Sequence, residues 1–170
     1  LRPFVANAVI LDLGCGTGIF CFKLLQYGAS RVMGIDISSR AIKIARERAG
    51  ELGVIKNCEF IVGDVRRSDL PYADITTGLG LLDYLNKEEI TILFKKLNSR
   101  LFLFTFPERT YFYAAILHRV YLKSQKCPSA YQYKSEEIKG ILDMTGYKGF
   151  MFVKDKRMLH GVIVHNFLTQ

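Results

Sequence analysis

The sequence predicts a doubly wound α/β fold: a mostly parallel seven-stranded sheet with helices on both faces and a C-terminal antiparallel hairpin. Three observations predict it. Short β-branched apolar runs alternate with amphipathic stretches, the pattern of a parallel sheet covered by helices. The stretch VILDLGCGTGIF, Val9 to Phe20, runs from a buried-strand pattern through Gly14, Gly16 and Gly18 into a helix pattern. The last two strand-like runs have little between them except the charged segment Lys154–Arg157, too short for a crossover helix and suited to a hairpin.

In chain order the expected strands are Ala8–Leu13, Arg31–Ile35, Cys58–Val62, Asp74–Gly78, Arg100–Phe106, Gly149–Val153 and Leu159–Phe167. Helices fall between most of them. Ser38 or Ser39 can cap one that runs to about Leu52, with Ile42, Ile44, Ala45 and Ala49 on its inner face. Asn86 followed by Glu89 has the spacing of a capping box and opens a helix to about Asn98. Ser135 begins another that stops at Gly146.

The 170 residues, 49% of them hydrophobic, suffice for one sizeable core, and no linker or low-complexity segment divides them. A single domain spanning residues 1–170 is expected. No apolar run approaches the roughly 18 residues of a membrane span, and Leu1-Arg2-Pro3-Phe4 lacks the layout of a signal peptide. The four cysteines form no C-x-x-C pair and have no histidine at metal-ligand spacing, so structural thiols, no metal and a reducing cytoplasmic setting are expected. The net charge of +8 is uneven: from Leu101 onward ten basic residues face five acidic ones. Such a surplus steers anionic substrates or nucleic acid, or simply solvates a basic face.

A glycine loop between a buried strand and a helix usually receives a nucleotide, because side chains are absent and the helix N-terminus offers N–H donors. A dinucleotide would require G-x-G-x-x-G, and Ile19 stands where its third glycine belongs. The spacing here is G-x-G-x-G, with Asp12 two residues ahead. A carboxylate there is a poor neighbour for a diphosphate and a good one for an ammonium or sulfonium group.

At LDLGCGTG the chain resembles the class I S-adenosylmethionine-dependent methyltransferases, and further motifs of that family follow in order over nearly its whole length. The resemblance implies that Asp12, Gly14, Cys15, Gly16 and Gly18 cradle S-adenosyl-L-methionine, with S-adenosyl-L-homocysteine as product. In VMGIDIS, Asp36 would accept from the ribose hydroxyls and Ile37 lie on the adenine face. In FIVGDV, Asp64 resembles the residue that takes the adenine amino group, with the Val65 N–H near the ring. In DITTGLGLLDYL, Gly80 and Leu81 would pass beside the cofactor. Family members normally carry helices before the first strand that close the site, and the expectation is that such upstream lid helices are missing from this sequence.

The implied chemistry is in-line displacement at an activated methyl group, which asks the protein to align the acceptor, exclude water and, where needed, remove a proton. Asp83 and Tyr84 after the fourth strand and His118 after the fifth are the candidate catalytic residues. Each also has a structural reading: Asp83 as a helix-start acid, Tyr84 and His118 as half-buried groups with satisfied polar atoms. His160 and His165, in the terminal strands, are expected to be structural.

Base N-methylation would call for an [N/D/S]-P-P-[Y/F] motif where this chain has Thr77-Gly78-Leu79-Gly80, and C5 methylation for a Pro-Cys site where only the reversed Cys127-Pro128 exists. Between Pro107 and Ser135, Tyr111, Phe112, Tyr113, Tyr121, Tyr131 and Tyr133 are interleaved with Arg119, Lys123 and Lys126. Such a segment could cover an aromatic or lipid-like acid, stack on bases, or pack as an ordinary helix face. With GLGLLDYL it is similar to small-molecule methyltransferases of the magnesium-protoporphyrin type. The expected acceptor is a small molecule, aromatic or lipid-like and anionic. A non-catalytic cofactor-binding module and an RNA ribose methyltransferase are the alternatives.

Overall fold

A computed structural model describes residues 2–109, 131–155 and 161–167. In chain order the elements are α1 (Arg2–Val5), β1 (Val9–Leu13), α2 (Ile19–Gln26), β2 (Arg31–Asp36), α3 (Ser39–Glu51), β3 (Cys58–Val62), β4 (Ala73–Gly78), α4 (Lys87–Lys96), β5 (Ser99–Pro107), α5 (Ser135–Met144), β6 (Met151–Asp155) and β7 (Gly161–His165). Single 3₁₀ turns occupy Ile55–Asn57 and Leu82–Tyr84. The seven strands form one sheet in the order β3-β2-β1-β4-β5-β7-β6, the doubly wound, mostly parallel arrangement expected.

The chain divides into two compact units, residues Leu1–Leu79 with Lys96–Leu103, and residues Gly80–Lys95 with Phe104–Gln170. In the first, β1 pairs in parallel with β2, from Val9 opposite Arg31 to Leu13 opposite Ile35, and on its other side with β4, from Ile10 opposite Ile75 to Asp12 opposite Thr77. The winding therefore reverses at β1, and a sheet of this kind opens a crevice beyond the carboxyl ends of the strands at such a reversal. Ile10, Leu11, Leu13, Leu24, Ile35, Ile42 and Ile75 are fully buried, which is why β1 reads as an almost unbroken apolar run.

Helix α3 starts as its sequence demands. The Ser38 hydroxyl accepts from the Ala41 N–H at 3.2 Å, and Ile42, Ala45 and Ala49 are buried at helical spacing. Ile44, expected on that inner face, is only half-buried, because it sits at the stripe's margin. Gly34 in β2 is a packing requirement: an added Cβ would stand 2.7 Å from Cys15 Sγ and 2.8 Å from Phe60 Cδ1.

In the second unit, α4 begins with the expected reciprocal capping box: the Asn86 N–H donates to Glu89 Oε2 at 2.8 Å and the Glu89 N–H to Asn86 Oδ1 at 2.9 Å. Its buried Phe94 meets Phe104 and Tyr147 edge-on, with centroids 5.2 and 5.6 Å apart. Helix α4 stops at Lys96 and α5 at Met144, each two residues short of expectation, as helix ends fray. β6 pairs antiparallel with β7, from Met151 opposite His165 to Asp155 opposite Gly161. The expected turn segment Lys154–Arg157 is thus partly strand: Lys154 and Asp155 continue β6. Lys154 reaches Glu108 at 2.7 Å, which stabilises that extension.

Candidate functional site: the glycine loop and the turn after β4

The loop after β1 is built on backbone that side chains oppose. Gly14, Gly16 and Gly18 all take positive φ, at 70°, 55° and 78°, a region that costs other residues roughly 1 kcal/mol or more. Gly18 also lacks room, since an added Cβ would stand 2.9 Å from the Phe60 ring. Gly16 is different: nothing lies within 4 Å of where its Cβ would be, so its backbone borders open space that a ligand can enter.

Four of the loop's amides already have partners on the protein. Gly14 and Cys15 N–H both donate to the Ile35 carbonyl at 2.8 and 3.1 Å, and Gly18 N–H to the Cys15 carbonyl at 3.0 Å. Gly16 N–H donates to Asp36 Oδ2 at 2.8 Å, while Asp36 Oδ1 accepts from the Ser38 N–H, also at 2.8 Å. Asp36 thus pins the loop to the end of β2. These four amides are spent on β2 or, for Gly18, within the loop; the donors expected at the helix N-terminus belong to α2, which begins at Ile19. Ionised carboxylate oxygens hold several lone pairs, so Asp36 keeps acceptor capacity for hydroxyl donors.

Asp12 is 2% exposed. Its Oδ1 accepts from the Thr77 hydroxyl at 2.7 Å and its Oδ2 from the Cys21 thiol at 3.4 Å. Burial outweighs these bonds and pushes its pKa up to about 6. The Cys21 thiol is driven upward, first by its hydrogen bond with Cys15 and then by burial, which makes it an inert packing group; Cys15 is buried as well. A cavity of about 450 Å³ adjoins the loop, lined by Asp12, Gly14, Cys15, Thr17, Lys23 and Leu79 among others. Lys23 is a residue that sequence reasoning missed; its position one helical turn beyond Ile19 was the available signal.

The Ile37 side chain is 65% exposed and Val65 is buried. Asp64 is gripped by Arg66, whose Nε lies 2.8 Å from Oδ1 and whose second guanidinium nitrogen lies 2.8 Å from Oδ2. That hydrogen-bonded guanidinium holds the carboxyl below its ordinary range. The Asp-x-Arg spacing in GDVRR is the sequence sign of this clamp.

In the second unit, Gly80 has φ 69° and its N–H donates to the Thr105 hydroxyl at 2.7 Å. Leu81 is buried. Asp83 lies in the 3₁₀ turn, its carbonyl accepting from the Tyr131 N–H at 2.7 Å. Its carboxyl Oδ1 is buried without a hydrogen-bond partner among the described residues, and burial pushes its pKa up to about 7. The Tyr84 ring is 44% exposed. Tyr131 and Tyr133 stack with centroids 6.3 Å apart, and the Tyr133 hydroxyl donates to the Leu85 carbonyl, which makes Tyr133 a structural tie. His165 accepts from the Phe167 N–H at 3.2 Å and packs on its ring. His118, His160 and the segment from Tyr111 to Pro128 lie outside the described residues.

Among the described residues no group of three His, Cys, Asp or Glu side chains is placed to hold a metal, and no helix is long and apolar enough to cross a membrane.

Comparison with known proteins follows the same lines. A family model described as a methyltransferase domain matches residues 5–99. Ribosomal protein L11 methyltransferase from Serratia proteamaculans (strain 568) is 38% identical over 66 residues, covering 39% of this chain and 22% of that protein. The chain spans less than a quarter of the length of that relative. Among solved structures, magnesium protoporphyrin IX methyltransferase (ChlM) from Synechocystis PCC 6803 with bound SAH superposes with a TM-score of 0.73 at 24% identity, over 95% of this chain and 74% of that one. The S-adenosylmethionine-dependent methyltransferase SibL in its apo form gives 0.80 at 18% identity, over 96% and 51%. These structures share the fold.

Proposed function

Because the chain belongs to the methyltransferase-domain family and has the class I S-adenosylmethionine-dependent methyltransferase fold, we propose that it transfers a methyl group to a small-molecule acceptor. The observation that carries this reading is the Asp36 carboxylate, held by the Gly16 and Ser38 amides at the mouth of an open glycine loop. When bound, S-adenosylmethionine supplies an activated methyl group on a sulfonium.

This chain's residues supply the rest. Asp36 receives paired hydroxyls with its remaining lone pairs, and the exposed Ile37 offers an apolar face to a base. Asp64, ionised by Arg66, and the Val65 N–H form an acceptor and donor pair suited to an amino-substituted ring. Gly14 to Gly18 let a ligand approach main chain. Asp12 stabilises positive charge by opposing it in a site withdrawn from water. In the second unit, Gly80 and Leu81 are assigned to the cofactor. Asp83 is assigned the proton-holding role: its Oδ1 has no partner among the described residues and its pKa stands near neutrality, where a base can both accept and release a proton. Tyr84 and His118 are assigned to the acceptor.

The acceptor class rests on the missing base-methylation motif and the aromatic, basic stretch Tyr111–Lys126. The test is transfer of labelled methyl from S-adenosylmethionine to small aromatic and porphyrin-like acids, a ribosomal protein preparation and structured RNA. Turnover of a small acid with weak salt dependence is expected. Methylation confined to protein, or to RNA with a steep loss in salt, would replace this acceptor class, and cofactor binding with no transfer to any acceptor would leave a binding module.

A further inference from the structure

The cavity beside the glycine loop presents two charged side chains of opposite sign, Asp12 and Lys23, with Ile19, Phe20 and Leu79 as its apolar walls. A ligand complementary to that surface carries both charges on an apolar stem, as an α-amino-acid head does. Four of the loop's amides do little for the negative end. The amides of Gly14, Cys15, Gly16 and Gly18 are all spent on Ile35, Asp36 or Cys15, and Asp12 repels an anion. A side-chain cation would offset that repulsion for an arriving carboxylate.

Lys23 is placed for it. Four residues beyond Ile19 on α2, it shares that residue's helix face. Its ammonium is held only lightly, by Gln26 Oε1 at 3.3 Å and by the Tyr27 ring at 5.4 Å, and among the described residues no carboxylate lies within salt-bridge reach of it. We infer that Lys23 is a specificity-determining residue for the cofactor, closing on its amino-acid carboxylate while Asp12 faces the ammonium. The inference rests on the methyltransferase reading and extends it to a residue outside the family motifs quoted above. Lys23 thereby separates the full cofactor from adenosine derivatives that lack the amino acid.

The test is calorimetric titration of wild type, Lys23→Met and Lys23→Arg with S-adenosylhomocysteine and with 5′-methylthioadenosine, which keeps the nucleoside and thioether and lacks the amino acid. Lys23 is exposed on α2, so removal of its charge leaves the core intact. Lys23→Met should bind S-adenosylhomocysteine about tenfold more weakly, the scale of one hydrogen-bonded charge, bind methylthioadenosine within about twofold of wild type, and recover with arginine. Equal S-adenosylhomocysteine affinity in wild type and Lys23→Met, or an equal loss for both ligands, overturns the role of Lys23 while the cofactor site stands. Wild type binding neither ligand overturns the methyltransferase reading and Lys23's part in it together.

Discussion

Asp12 in β1 and Asp83 in the turn after β4 are both carboxyls withdrawn from water, yet the protein treats them differently. Asp12 has a partner for each oxygen, Thr77 and Cys21, and rests near pKa 6. Asp83 has a buried Oδ1 with no partner among the described residues and rests near 7. Burial costs a charged group, and internal donors recover part of that cost. The carboxyl beside the glycine loop is satisfied by the fold itself, whereas the turn after β4 carries a buried acceptor that has no partner among the described residues. A buried polar atom without a partner costs about 1–3 kcal/mol, and such strain concentrates where chemistry is done.

The sharpest way to test that contrast is pH. A carboxyl whose folded pKa exceeds its unfolded value binds more protons folded than unfolded, so stability falls as pH rises between the two values. For Asp83 the window runs from 3.8 to about 7, worth up to about 4 kcal/mol. Asp83→Asn should remove most of that slope in denaturant titrations across the window and should raise stability near neutrality. An unchanged slope would show that Asp83 is solvated in the folded state.

Asp12 has the narrower window, from 3.8 to about 6, worth about 3 kcal/mol by the same relation. Asp12→Asn should flatten that range, yet lower the baseline, because an amide cannot accept from both Thr77 and Cys21. A variant that loses the slope and keeps full stability would show that those two hydrogen bonds contribute nothing.

Smaller still is the packing beneath the loop. Gly34→Ala forces a Cβ against Cys15 Sγ and Phe60 and should cost about 1–3 kcal/mol as overpacking. Cys15→Ala in the same chain should recover part of it, and chemical denaturation of the four proteins of that cycle measures the coupling. Additive losses would mean the two side chains do not meet.

The same contrast explains what was legible in the sequence. Gly14, Gly16 and Gly18 were readable because positive φ leaves almost no alternative residue, and Asp36 because its interval from the loop is set by one helix and one strand. The Asn86–Glu89 capping box was readable for the same local reason. Asp83 was readable as a position only; its orphaned oxygen depends on burial, which adjacent residues do not encode. Arg66's grip on Asp64 and Lys23's turn toward the cavity are side-chain geometries that spacing permits without requiring. The continuation of β6 through Asp155 depends on the partner strand and on Glu108, distant in sequence. That four of the loop amides are spent is not legible in the sequence, because the bonds to Ile35 and Asp36 are tertiary contacts.

The central claim is that Asp36, fixed under the glycine loop, is the ribose-binding carboxylate of a cofactor site. Isothermal titration of wild type and Asp36→Ala with S-adenosylhomocysteine tests it most directly. The account predicts one site in wild type and an affinity lower by about 1.5–3 kcal/mol in the variant, the worth of a charged hydrogen-bond acceptor, with circular dichroism unchanged. Equal affinity in the two proteins would contradict it.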